Sequence, residues 1–144
     1  MLIGEFQHIL DSKKRVALPA KFRKELGKKA VITKGLDKCL VVYPLKEWEK
    51  VAEKLAGLPS GQTDVRKFQR NMLSGAAEVV CDALGRILIP DNLKQYAELG
   101  EKVVIAGVYK RLEIWDALKW AEYKVEIEKQ TDVLAEKLGE VGAY

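Results

Sequence analysis

A chain of 144 residues that is 48% hydrophobic, with a formal net charge of +4, has enough apolar content for one folded domain or two very small ones. It has no apolar run near the roughly 20 residues needed to cross a membrane. Its first residues, MLIGEFQHIL, lack the basic start of a signal peptide. We therefore expect a cytoplasmic protein with Cys39 and Cys81 as buried free thiols.

Each half of the chain begins with a strand, a tight turn and a second strand. The first strands are EFQHIL and AAEVVC, and the period of two places Phe6, His8 and Leu10 on one side. The turns are DSKK and DALG, in which Asp accepts nearby backbone hydrogen bonds and Gly85 tolerates a positive φ. The second strands are RVALP and RILIP, and each ends at a proline.

A short helix, a hairpin and a further helix follow in each half. The short helices are AKFRKEL and DNLKQYAEL, and the hairpins are AVITKGLDKCLVVYP and VVIAGVYKRLEIWD. The segments LKEWEKVAEKLAG and TDVRKFQRNMLSG indicate two helices after the first hairpin, and the acidic tail is also helix-prone. The predicted organisation is two repeat domains, 5–47 and 76–119, a helical connector, 48–75, and a C-terminal helix or tail, 120–144.

The two halves are copies of one unit. Setting Asp11 against Asp82 aligns Arg15 with Arg86 and brings the later apolar, Gly, Pro and Trp positions into register. Each copy has roughly forty residues and four short strands, which is near the lower limit for independent folding. We therefore expect the copies to interleave into one β-barrel with flanking helices, in a mainly-β α+β fold.

Positive charge is concentrated in the first copy. Residues 1–75 contain 16 Lys and Arg against 8 Asp and Glu, whereas residues 76–144 contain 9 against 13. Such segregation favours a polyanionic partner on the first half, and a solvated basic surface is the alternative.

The sequence offers little catalytic chemistry. A single histidine, His8, leaves no multi-histidine metal site, and the motifs of P-loop, dinucleotide-binding, zinc-protease and serine-hydrolase sites are absent. Helical carboxylates such as Glu49 and Glu53 stand beside lysines at spacings typical of solvated faces. We expect no enzyme, no cofactor, no metal and no small-molecule substrate.

The repeated pattern D-x-x-x-R-(V/I)-x-(L/I)-P, followed by a short helix and Leu-Gly, resembles the SpoVT–AbrB family of swapped-hairpin DNA-binding domains. With YPLKEWEKVAEKL after the first copy and LEIWDALKW near the end of the second, the chain is similar to double-domain members that regulate transcription. The resemblance implies a double swapped-hairpin barrel and a ring-like homo-oligomer. It also implies a nucleoid-associated protein that binds double-stranded DNA at short direct repeats near its own promoter, in a division and cell-wall gene cluster.

The resemblance further implies which side chains face DNA. The family's basic positions fall on His8, Arg15, Arg23 and Lys24 in the first copy, and on Val79, Arg86, Lys94 and Gln95 in the second. Arg15 is the predicted base reader, because a guanidinium pairs bidentately with guanine. The predicted phosphate contacts are Lys13, Lys14, Lys21, Arg23 and Lys24.

Each motif pair can instead brace its own turn. Bracing is the expected main role of Asp82 and Arg86, with Lys94 structural or auxiliary, whereas for Asp11 and Arg15 bracing and DNA contact both stay open.

The turns differ at the residue before the motif arginine. Family members usually have glycine there, as at Gly85, but the first copy has Lys14, which is strained if the turn needs a positive φ.

A different class of function fits the same residues. A basic face can bind an acidic protein, which would make the chain an antitoxin-like or scaffold barrel without specific DNA binding. On the outer helices, Trp48, Leu55 and Trp120 suit either subunit contacts or core packing.

Overall fold

A computed structural model describes all 144 residues, and its elements follow the order predicted for the two copies. The strands are β1 (Leu2–Ile9), β2 (Arg15–Ala17), β3 (Lys29–Lys34), β4 (Leu40–Pro44), β5 (Ala77–Val80), β6 (Arg86–Leu88), β7 (Lys102–Tyr109) and β8 (Leu112–Asp116). The helices are α1 (Ala20–Leu26), α2 (Leu45–Ala56), α3 (Thr63–Gln69), α4 (Asp91–Tyr96) and α5 (Ala117–Glu140). A π-helical turn, Arg70–Ser74, extends α3.

Prolines set the boundary between the short strands and the short helices. Pro19 and Pro90 directly precede α1 and α4, where a residue without an N–H fits the start of a helix but cannot continue a strand ladder. In α1, Phe22 and Leu26 lie one turn apart and are both buried. The repeated Pro therefore fixes where each copy turns from sheet to helix.

Strands of the two copies pair with each other throughout the fold. The large antiparallel sheet has the order β1-β7-β8-β4-β3-β5, so β1, β4 and β3 of the first copy pair with β7, β8 and β5 of the second. The remaining strands, β2 and β6, form a separate two-stranded ribbon in which Val16 lies opposite Ile87. Neither copy could form this sheet alone.

The expected closed barrel is wrong, although the expected mainly-β α+β class is confirmed. The six-stranded sheet is open, with β1 and β5 at its edges. The chain leaves each edge strand through an Asp–Arg turn and enters β2 or β6, which pair with each other. The ribbon contacts both edge strands without joining either ladder, so it lies across the opening between β1 and β5.

One hydrophobic core lies between the ribbon, the sheet and the short helices. It contains 20 buried residues from both copies, including Val16 and Ile87 beneath the ribbon. The ring of Phe22 meets that of Phe6 edge-on at a centroid distance of 5.3 Å. The ribbon is therefore packed against the hydrophobic core.

No helix of the chain is both long and apolar enough to cross a bilayer. The longest, α5, has 24 residues, and charged and apolar side chains are interspersed along it.

Candidate nucleic-acid interface

The two Asp–Arg turns have the same hydrogen-bond network. In the first copy, Asp11 Oδ1 accepts two backbone N–H groups of its own turn at 2.9 Å, and Asp11 Oδ2 accepts Nε of Arg15 at 3.0 Å. In the second copy, Asp82 Oδ1 accepts two backbone N–H groups at 2.9 Å, and Asp82 Oδ2 accepts Nε of Arg86 at 2.8 Å. Each carboxylate closes its turn and orients the arginine that follows.

These hydrogen bonds favour the ionised form of both carboxyl groups. The backbone N–H of Arg15 lowers the pKa of Asp11, and the Arg15 side chain adds to this effect against desolvation. The backbone N–H of Arg86 likewise lowers the pKa of Asp82. Each arginine makes its intramolecular bond through Nε, and the Nη atoms of both donate no hydrogen bond within the chain. Each turn thus braces a hairpin and leaves a guanidinium fork available.

The ribbon places both arginines on one surface. Side chains alternate along a strand, so buried Val16 and Ile87 lie on one side and the motif arginines on the other. We call this outer surface the ribbon face. Its residues are Arg15, Ala17, Arg86 and Leu88. Arg86 Nη1 of the second-copy turn lies 4.0 Å from Asp11 Oδ2 of the first-copy turn, so the two motifs are within ion-pair distance of each other.

The first-copy lysines divide into free and engaged side chains. Lys13 and Lys24 are exposed and form no ion pair. The ammonium of Lys14 pairs with the aspartate that begins α4. The ammonium of Lys21 lies over two aromatic rings, 4.9 and 5.3 Å from their centroids. The geometry therefore favours Lys13 and Lys24 as phosphate contacts over the other two.

Arg23 lies against the second-copy turn. A Cβ at Gly85 would collide with the Arg23 guanidinium, and Arg23 Nε is buried without a hydrogen-bond partner. Lys94 is the second-copy counterpart of Arg23. It lines a cleft together with Asp11 and Ser12 of the first-copy turn. The helix of each copy thus packs beside the turn of the other copy.

The residue before each motif arginine has a positive φ. The value is 61° at Lys14 and 77° at Gly85, so the two turns have the same shape despite the different residues. A non-glycine residue in this region costs about 1 kcal/mol. The strain expected at Lys14 is therefore present.

We expect Lys14→Gly to stabilise the fold by about 0.5–1 kcal/mol, because glycine adopts this φ without a steric penalty. The matched change Gly85→Ala should destabilise it by about 1–3 kcal/mol, since φ is 77° there and the new Cβ meets Arg23. Urea unfolding of both variants measures the two shifts. A loss of stability in Lys14→Gly would show that the ion pair to α4 outweighs the strain.

The remaining family positions contribute no positive charge at neutral pH. His8 is half-buried on β1, and desolvation lowers its pKa, so the imidazole is neutral at pH 7. In the second copy, Val79 is buried and Gln95 is exposed.

Both cysteines are free thiols. Cys39 is buried, and desolvation raises its pKa to about 12. Cys81 is half-buried, and desolvation also raises its pKa. The prediction of buried free thiols is confirmed for Cys39 and only partly for Cys81. No group of three or more metal-ligating side chains comes together.

The outer-helix residues pack within the chain. Leu55 is buried, and the Trp48 ring lies 5.9 Å from that of Tyr43. Trp120 lies 5.3 Å from the Trp115 ring and donates its indole N–H to a glutamate of β1 at 2.8 Å.

Sequence reasoning overlooked Leu88 and Ala17 as members of the candidate site. The alternation in RVALP and RILIP is the signal that could have found them, because it places the first and third residues of each strand on one face.

A two-stranded antiparallel ribbon that carries two half-buried arginines on its outer surface has a shape that the major groove admits, and β-ribbons form a recognised class of DNA readers. The comparisons with known proteins agree with this class. The sequence model of the MraZ protein family, whose description adds the term antitoxin-like, matches residues 1–71 and 72–139. The chain therefore belongs to the MraZ family.

Relatives of similar length support the same assignment. The chain is 49% identical over 138 residues to the transcriptional regulator MraZ of Moorella thermoacetica, covering 96% of each protein. It is 48% identical over 142 residues to the transcriptional regulator MraZ of Acetivibrio thermocellus, covering 99% of each. The predictions of a transcriptional regulator and of a non-enzymatic role are confirmed by these relatives.

Proposed function

We propose that the chain regulates transcription by binding double-stranded DNA in a sequence-specific manner, at short direct repeats near its own promoter. The ribbon face enters the major groove, where Arg15 and Arg86 each pair with a guanine. Lys13 and Lys24 contact phosphates beside it.

The observation that supports this proposal most directly is the pair of available guanidinium forks on one ribbon. Both arginines are held through Nε, at 3.0 and 2.8 Å from their aspartates, and their Nη atoms form no hydrogen bond within the chain. A bidentate contact to guanine needs an oriented fork with two unused donors.

The larger assembly is part of the same proposal. In this proposal the chain consists of two SpoVT–AbrB units, at 5–47 and 76–119, with the connector 48–75 between them and the tail 120–144 after them. The strand pairing between copies supports an exchange of hairpins between the units. Several chains form a ring-like homo-oligomer, in the cytoplasm and associated with the nucleoid. Exposed apolar side chains of α5, Val133, Leu134 and Leu138, support subunit contacts.

Selection of bound sites from a random duplex library tests the function. We expect a short, repeated, guanine-containing motif to be enriched, and the enrichment to be lost in an Arg15→Ala, Arg86→Ala double variant. An antitoxin-like or scaffold protein would show no preference among duplexes, and that result would favour the alternative function.

Salt dependence tests the phosphate contacts. The logarithm of affinity should fall linearly with the logarithm of salt concentration, and Lys13→Ala should flatten the slope by about one unit. Lys129→Ala on α5 is the control and should leave the slope unchanged. Lys21→Ala reports whether an ammonium over aromatic rings also reaches a phosphate. A slope unaltered by Lys13→Ala would place that lysine outside the interface.

A further inference from the structure

Leu88 is the one large apolar side chain among the four residues of the ribbon face. It lies on the ribbon face with 56% of its surface exposed, whereas its neighbours Ile87 and Ile89 are at most 1% exposed in the core. Leu88 thus lies on the side of the ribbon away from the hydrophobic core. Packing within the fold therefore does not explain why this position has a leucine.

The strand register places Leu88 directly opposite Arg15. Ile89 and Leu18 donate backbone hydrogen bonds to Lys14 and Gly85, at 2.8 and 3.0 Å. Hydrogen-bonded and non-hydrogen-bonded pairs alternate along an antiparallel ribbon, so Arg15 and Leu88 form a non-hydrogen-bonded pair. Side chains in such pairs are close, with Cβ atoms about 4.5–5.5 Å apart. This separation is comparable to the roughly 3.4 Å between successive bases on a strand, so the two side chains can reach neighbouring bases.

The ribbon face is not symmetric between the copies. The residue related to Leu88 by the repeat is Ala17, which lies opposite Arg86. A leucine side chain therefore accompanies one arginine fork, and a single methyl group accompanies the other. Both forks are held through Nε by the aspartate of their own turn. They differ in their apolar partner and in the approach of Arg86 Nη1 to Asp11 Oδ2, at 4.0 Å, which Arg15 lacks.

We propose that Leu88 is a specificity-determining residue that recognises the 5-methyl group of a thymine next to the base read by Arg15. Thymine is the only base that presents a methyl group in the major groove, and apolar side chains read it by contact. Contact with such a methyl group would remove exposed apolar surface of Leu88 from water. The inference rests on the proposed binding of DNA through the ribbon face.

The test removes the thymine methyl group without changing any hydrogen-bonding group. Each thymine of the selected duplex is replaced in turn by uracil, and affinity is measured by fluorescence anisotropy. We expect one position to bind wild-type protein about fourfold more weakly with uracil, the effect of burying one methyl group. Leu88→Ala should bind the thymine and uracil duplexes equally, and Leu88→Met should keep the preference.

Leu118→Ala is the matched control, because this leucine of α5 is 77% exposed and lies outside the ribbon face. It should keep the fourfold preference. If the wild-type protein binds the selected duplex but is indifferent to uracil at every position, the role of Leu88 is refuted and the DNA-binding function stands. The role is equally refuted if Leu88→Ala keeps the preference. If no duplex is preferred, the proposed function itself fails.

Discussion

Arg15→Ala and Arg86→Ala should each weaken binding to the selected duplex by roughly 5- to 150-fold, the range expected for loss of one bidentate contact to guanine. The uneven charge of the two copies alone predicts a different result, in which Arg15 reads DNA and Arg86 serves mainly stability. The structure favours equal roles, because each arginine is bound through Nε to an aspartate and both lie on the ribbon face.

Lysine substitutions provide the matched control. Arg15→Lys and Arg86→Lys keep the charge but lose the planar fork, so the salt dependence should stay near the wild-type value while preference for guanine falls. Thermal unfolding of each variant separates binding from stability. If Arg86→Ala lowers stability but leaves discrimination intact, the second copy is structural and the division of roles predicted from charge is correct.

Much of the fold could be predicted from the repeat, because its signals are local. Proline after each short strand, alternating apolar residues and the Asp-initiated turn act within a few residues of one another. The positive φ of the turn was also accessible, since Gly85 in one copy marks a position where Lys14 must adopt the same conformation.

Barrel closure and the state of the lysines depend on contacts between distant segments. Periodicity places residues on a face but does not say which edge a strand joins, so the pairing of β2 with β6 could not be read from either copy. Lys14 and Lys21 are equal charges in the sequence, yet one pairs with α4 and the other packs on aromatic rings. A count of positive residues therefore overestimates the free cations of the candidate site.

Inserting 5 bp between two adjacent direct repeats should sharply weaken binding, and inserting 10 bp should restore it. The ribbon face consists of four residues, so one chain makes few contacts and should bind near the non-specific range of about 10⁻⁴–10⁻⁶ M. Specific affinity then requires several linked chains on one face of the duplex, where a high effective concentration multiplies the single-chain affinities. Repeats about one helical turn apart, roughly 10 bp, satisfy this geometry.

The dependence of affinity on repeat spacing distinguishes binding by linked chains from binding by independent chains. An insertion of 5 bp moves the second repeat to the opposite face, so a rigid assembly cannot reach both repeats, whereas 10 bp returns it to the first face. A duplex with a single repeat is the control and should match the affinity of the 5-bp duplex. If affinity is the same for all spacings, the chains bind independently, and the ring-like assembly makes no contribution to recognition of the operator.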